Sequence, residues 1–424
     1  MFRYLIESGE YMEAMVEKCA GLDVHQETIV ACVLKGDLNS KPQSKIRTYG
    51  TYTKDLEELH DWLVEEDVEQ VAMESTGVFW KCVWNIIEDE RYEIKLANAR
   101  EIKNMPGRKT DVKDAQWIAE LLRSGLIKGS FVPNVEIREL RDLTRYRRKI
   151  IQQASTEKNR IHKILQDANI KITTDISDIF GDTGRKILEK IIEGKEITNE
   201  DLIEITSGRG KASLREKIPQ IKEAIKGTTR EHHKKILKLI YDHLKYLERE
   251  QKEIEKLIDE ACEEYKKEIE LLDSIPGIDQ DSAKAIIAEI GVDMNQFPTV
   301  KNLTSWAGMS PGNNESAGVK KKGKSTKGNR NLRATLNECA WSCIRSKKNR
   351  ISSTYWRFVK RMGPQKAIHA VGNLILRLCY HILVSGIKYE EREKDDYEKI
   401  LQKKKEERMI KELKERGYKI EIAS

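Results

Sequence analysis

Residues 19–34 read CAGLDVHQETIVACVL, two apolar runs separated by a short polar stretch, with one carboxylate, Asp23, set inside the first run. Alternation and β-branched content predict strands here, and a carboxylate inside an apolar strand costs stability unless something binds it. Working outward, apolar strand residues run from 19 to 35 and again from 45 to 52. A helix follows at 53–66, then a strand at 68–75, a helix at 78–89, a strand at 92–98 and a helix from 111. An extra helix is expected before residue 19. Three strands in a row followed by alternating strand and helix fit an RNase H type of α/β sheet, with Asp23 on its central strand. Glu74 closes the fourth strand, VEQVAMESTG, and Asp111 and Asp114 lie three residues apart in RKTDVKDAQWIAELL. That spacing puts both on one helix face. Four acids converging on one sheet edge repel one another unless a cation joins them. Hard divalent ions take such oxygen ligands and leave room for phosphate oxygens, which points to phosphoryl transfer on nucleic acid. Asp111 has a purely structural alternative as a helix cap.

Composition narrows the classes. The chain has 424 residues, 35% of them charged, with mean hydropathy −0.63. No apolar run is expected to cross a bilayer, and the acids in MFRYLIESGEYMEAMVEKCAG argue against a signal peptide, so the expected location is cytoplasmic. Seven scattered cysteines with no CxxC pair exclude a disulfide framework and a cysteine zinc site. The net charge is +7, but residues 316–366 hold 15 Lys or Arg against a single acid, Glu338, leaving the remainder at −7. A concentrated basic stretch is the footprint of a phosphate-backbone partner.

From 135 to 270 the pattern is helical and charged. RELRDLTRYRRKI sets Arg141, Arg145 and Arg148 on one face as candidate phosphate contacts, and HHKKILKLIYDHLKYLEREQKEIEKLIDEACEEY has near-heptad apolar spacing. Long antiparallel helices or an intermolecular coiled coil both satisfy this. His232, His233 and His243 read as surface helix residues. From 271 a third domain runs to 388, ahead of a charged tail at 389–424. It opens LLDSIPGIDQDSAKAIIAEIG, a helix-hairpin-helix pattern turning at Pro276-Gly277, where backbone amides can hold a phosphate. A plain αα-hairpin is the alternative.

A glycine-rich basic stretch follows, carrying Lys320, Lys321, Lys322, Lys324 and Lys327 and then Arg330 and Arg333. Gly318, Gly323, Lys324 and Ser325 fit the phosphate loop of nucleotide triphosphatases, yet no strand leads in and no second strand ends in an acid, so that reading fails. Three serines stand in or beside this stretch. Ser310 serves a local turn, Ser325 beside Thr326 is placed to cap the next helix, and Ser316 stands between Glu315 and the small Ala317-Gly318.

Taken in order, GLDVH, ESTG, RKTDVKDA, LRDLTRYRRKI, KNRIHKIL, SIPGI, WAGMSPG, ESAG and KGNRNLR resemble the DEDD-type insertion-sequence transposases, the IS-one-ten family, along nearly the whole chain. The resemblance implies a RuvC-like nuclease domain over 1–134 whose quartet Asp23, Glu74, Asp111 and Asp114 binds Mg²⁺, with Mn²⁺ as a possible substitute. It implies a coiled-coil connector over 135–270 used in forming a dimer or tetramer, and a mainly helical C-terminal transposase domain. It further implies recombination of DNA element ends and target through a serine, matched here by Ser316, guided by a structured non-coding RNA. An N-terminal extension, Ala317 in place of a glycine, and the tail depart from the family pattern. A junction-resolving nuclease using water, and a non-catalytic scaffold, are the other classes considered.

Overall fold

The computed structural model describes residues 3–5, 11–75, 77–99, 102, 105, 114–209, 211–310, 315–316, 319–320, 328–346, 349–391, 406 and 409–410. The chain divides into two compact units, Met1–Val132 and Pro133–Ser424.

The first unit begins with two three-residue strands, β1 (Arg3–Leu5) and β2 (Tyr11–Glu13), paired antiparallel. They stand where a helix was expected before residue 19. The main sheet contains β3 (Lys18–Val24), β4 (Ile29–Lys35), β5 (Gln43–Tyr49), β6 (Gln70–Glu74) and β7 (Glu93–Ala97), in the order β5-β4-β3-β6-β7. β3, β4 and β5 form an antiparallel meander; β6 joins the free edge of β3 in parallel, and β7 joins β6 in parallel. β3 is therefore central, as the sequence indicates.

Period-two alternation gives the sheet two apolar faces. Ala20, Leu22, Val24, Val71 and Met73 face helices α1 (Thr53–Glu65) and α2 (Trp80–Ile87), whose Leu59, Trp62, Leu63, Val83 and Ile87 complete one core. Cys19, Cys32, Ala72 and Ala97 face helix α3 (Asp114–Arg123), which contributes Ala115, Trp117, Ile118, Ala119 and Leu122.

The second unit is helical. Helix α4 (Val135–Asp167) runs beside α9 (Glu231–Ala261), and the cross-links Arg147–Glu255, Glu157–His243 and Asp167–His233 descend on one helix as they climb on the other, so the pair is antiparallel. Between them lie the short helices α5 (Asp182–Glu193), α6 (Asn199–Ile205), α7 (Ala212–Glu216) and α8 (Ile218–Ala224). Leu237, Tyr241, Leu244, Ile254 and Ile258 give α9 the buried seam that its near-heptad spacing indicates. His233, read from sequence as a surface residue, is buried instead. It accepts the Arg230 amide at Nδ1 over 3.2 Å, so Nε2 carries the proton toward Asp167 at 2.8 Å. His232 joins these two in a cluster with the composition of a metal site. The capping bond at Nδ1 leaves Nε2 as the His233 atom that faces Asp167.

Helices α10 (Lys266–Asp273) and α11 (Gln280–Ile290) form the hairpin around Pro276-Gly277, followed by α12 (Val300–Trp306), α13 (Arg330–Arg345), α14 (Arg350–Met362) and α15 (Pro364–Ser385). The domain boundary expected at 270 falls inside this unit, because Arg141, Arg145, Arg147 and Arg148 of α4 bind residues of α11 and α13. α15 corrects a second expectation. It is long and apolar enough by length and composition to cross a membrane, yet Ala367, Ile368, Val371, Ile375, Leu376 and Cys379 are buried against neighbouring helices, as in the core helix of a bundle.

Candidate nucleic-acid processing site

Asp23 and Glu74 end up side by side because β3 and β6 run parallel with Leu22 opposite Met73, so the next residue on each strand stands at the same sheet edge. Both follow the alternation of Cys19, Gly21 and Ala72, which puts them on the face covered by α3. Asp114 opens α3 at that edge. The approach of α3 depends on Gly21. A Cβ there would fall 2.3 Å from the Ala115 carbonyl oxygen and 2.4 Å from the Ala119 nitrogen, so helix backbone rests directly on strand backbone. At the other end of α3, buried Arg123 donates from Nη1 to the Val16 and Glu17 carbonyls and from Nη2 to those of Gly36 and Asp37, over 2.8–3.2 Å. These bonds hold the helix at both ends, and so hold Asp114 at the acidic edge.

Asp23 feels the other two carboxylates. Burial raises the Asp23 carboxyl above its usual range, opposed by His25, while Asp114 and then Glu74 push it further up. His25 Nε2 lies 3.1 Å from Asp23 Oδ2. Asp111, the fourth acid of the sequence reading, lies outside the described residues. Gly21 and His25, each two residues from Asp23 and on its face of the strand, were not singled out from sequence. The i±2 register was the signal available.

In the second unit, Ser316 belongs to a two-residue ladder, Glu315–Ser316 against Val319–Lys320, with Ser316 opposite Val319. Ala317, Gly318, Lys321, Lys322, Lys324, Ser325 and Lys327 lie outside the described residues. The ends of this basic segment are pinned. A Cβ on Gly328 would fall 2.2 Å from the Gly308 nitrogen, so the outgoing and returning chains touch backbone to backbone. Ser310 serves the local turn, its amide reaching the Thr304 carbonyl and its hydroxyl lying 3.1 Å from Thr304 Oγ1. The cap of α13 is Asn329, whose Oδ1 accepts the Asn331 and Leu332 amides, so the capping role expected of Ser325 or Thr326 belongs to Asn329. Arg330 is exposed on the first turn of α13, and Arg333 is half-buried beside His369, whose imidazole is held below its usual range by burial and then by Arg333.

The other basic candidates have internal partners. Arg141 donates to the Ala288 and Glu289 carbonyls at the end of α11, and burial pushes its guanidinium down to about 10. Arg145 forms a two-point pair with the buried Glu289 carboxylate at 2.8 Å each, and Asn329 Nδ2 donates to the same carboxylate at 2.5 Å. Arg148 reaches Thr335 and Glu338. Glu289 therefore ties α4, α11 and the cap of α13 together, and these arginines link helices within the unit. Gly277, with φ +90°, packs against Cys339 and Cys343 of α13, and Asp279 fills the N-terminus of α11 by accepting the Ser282 amide. A cleft of about 310 Å³ remains there, bordered by Arg147, Asp279, Asp281 and Asn331.

The first unit thus carries acids at one edge of an α/β sheet, and the second is a helical unit. Two family profiles match in the same order: one described as a transposase, over residues 20–170, and one described as a transposase of the IS116/IS110/IS902 family, over 269–357. Together they cover more than half of the chain, which belongs to the IS110-type insertion-sequence transposases. No protein of curated function matches it.

Proposed function

We propose that this transposase cuts and rejoins DNA through two transesterifications at Ser316, with Asp23, Glu74 and Asp114, joined by Asp111, holding Mg²⁺ in a RuvC-like first unit. The observation that carries the reading is the convergence of three acids from β3, β6 and α3 on one edge, where Asp114 and Glu74 each raise the cost of ionising Asp23. An all-oxygen, partly buried donor set of this kind fits a hard divalent cation, and fits no soft one. When bound, the ion supplies charge neutralisation on a DNA phosphate.

The residues divide the remaining work. The Ser316 oxygen attacks phosphorus, forming a serine phosphodiester as the bond to one DNA oxygen breaks and releases a hydroxyl end. A second DNA hydroxyl then attacks that phosphodiester and frees the serine. Each step exchanges one phosphoester for another, so no nucleotide triphosphate is consumed, in keeping with the failed phosphate-loop pattern at Gly318–Ser325. Lys320, Lys321, Lys322, Lys324, Lys327, Arg330 and Arg333 supply backbone electrostatics for element ends and target. The antiparallel pair of α4 and α9 is the candidate coiled-coil surface for assembly into a dimer or tetramer, the Pro276-Gly277 turn is the candidate helix-hairpin-helix, and a structured RNA is the guide.

Incubating the protein with Mg²⁺ and DNA carrying the element's ends, then denaturing and digesting, tests the scheme. A nucleotide linked to the peptide containing Ser316, and missing from Ser316→Ala, is the expected product. Adducts that persist in Ser316→Ala but vanish in Ser325→Ala would move the nucleophile, and efficient cleavage with no adduct would assign the site to a water-using junction nuclease.

A further inference from the structure

The second unit displays two indoles with no structural need to be outside. Trp341 on α13 is 48% exposed and Trp356 on α14 is 51% exposed. Both border the ring of Tyr355, itself buried, at centroid distances of 6.4 Å and 5.2 Å, so they belong to one aromatic cluster built from two helices. Large exposed aromatics grouped in this way mark an interaction surface, where scattered apolar residues would not.

Charge identifies what the surface takes. Helix α14 carries Arg350, Arg357, Lys360 and Arg361 and no acid. Ser353, Trp356, Arg357 and Lys360 recur at helical spacing, and Trp356 and Lys360 are exposed one turn apart, so the indole shares its face with a cation. On α13, Trp341 lies one turn before exposed Arg345. Arg357 and Arg361 also flank the Phe358 ring at 5.6 Å and 5.8 Å. An apolar protein partner would gain from the indoles but would leave these charges unmatched. A nucleic-acid strand matches both, phosphates to the cations and base faces to the indoles. Bases in a duplex are already stacked on one another, so their faces are open to a side chain only in an unpaired strand.

We infer that Trp341 and Trp356 form a stacking platform for unpaired nucleotides, flanked by Arg345, Arg357 and Lys360. The platform is built from residues of α13 and α14 alone, and it does not depend on the reaction proposed for Ser316 and the acids.

The test uses the full chain and two probes of equal length and phosphate count, a short oligothymidylate and the same strand made entirely of abasic sites. Wild type should bind the base-bearing strand about tenfold more tightly for each indole engaged, with quenching of tryptophan emission. The Trp341→Ala/Trp356→Ala protein should bind both probes with the weaker, abasic affinity, and Trp341→Phe/Trp356→Phe should recover most of the difference. Melting curves establish that each variant is folded, and the phenylalanine pair keeps the comparison informative if the alanine pair is not. Equal wild-type affinity for the two probes would overturn the inference. So would a double variant that loses self-association in sedimentation while binding oligothymidylate as tightly as wild type, an outcome that makes the surface an interface between copies.

Discussion

Gly21 and Ala119 meet with no room for a methyl group between them: a Cβ on Gly21 would stand 2.4 Å from the Ala119 amide nitrogen. That close approach seats α3 on the central strand and decides where Asp114 stands relative to Asp23.

Gly21→Ala should therefore act at a distance from the acids. The obstruction is backbone, so the helix must shift, and overpacking of this kind costs roughly 1–3 kcal/mol. Urea unfolding of the first unit's sheet should report that loss, and DNA cleavage should fall further than the folded fraction does. Wild-type stability in Gly21→Ala would mean that α3 does not rest on β3 in this way.

Asp23 carries a pH signature. Its folded-state carboxyl is raised by burial and by the neighbouring acids, so the native state holds the proton more tightly than the unfolded chain. Stability from this group is thus fully present below the ordinary carboxylate range and is lost as pH rises through the raised value. Thermal melts in chelator should show this decline, and Asp23→Asn should flatten it. Adding Mg²⁺ near neutral pH should raise the wild-type melting temperature and leave that of Asp23→Asn nearly unchanged, because a cation stabilises only the ionised cluster. A Mg²⁺ response of wild-type size in Asp23→Asn would remove that acid from the cation site.

Glu289 is the buried partner of Arg141, Arg145 and Asn329. Glu289→Ala strands guanidinium charge and should cost on the order of 3–5 kcal/mol. Arg145→Ala should likewise appear first as reduced stability. If Arg145→Ala instead weakened DNA binding with stability intact, the arginine would be a phosphate ligand, as the sequence pattern suggests.

Neutralising Lys320, Lys321, Lys322 and Lys324 together should flatten the slope of log affinity against log salt by up to about one unit for each phosphate that the protein no longer neutralises. An unchanged slope would place the cluster away from nucleic acid.

Much of the first unit was legible in the sequence because its signals are local. Period-two runs and an acid inside an apolar strand marked β3, and the end of VEQVAME marked Glu74. What escaped depends on distant packing. Gly21 looks like any strand glycine until α3 lies across it, and Arg123 looks like a solvated helix residue until four carbonyls surround it. The internal partner of Arg145 was hidden for the same reason, since the Glu289 carboxylate that it grips is 144 residues away in the chain. Asn329 was overlooked as a cap because Ser325 and Thr326, which precede it, are also capping types, and helix α13 starts later than they imply.

The most direct measurement is Mg²⁺-dependent cleavage of DNA bearing the element's ends, followed on denaturing gels beside binding of the same DNA, for wild type and for Asp23→Ala, Glu74→Ala and Asp114→Ala. Metal-assisted chemistry and backbone electrostatics are separable, so each variant should bind DNA with nearly wild-type affinity and cut no strand. Full cleavage by Asp23→Ala would contradict the assignment of this acidic edge as the centre of the reaction.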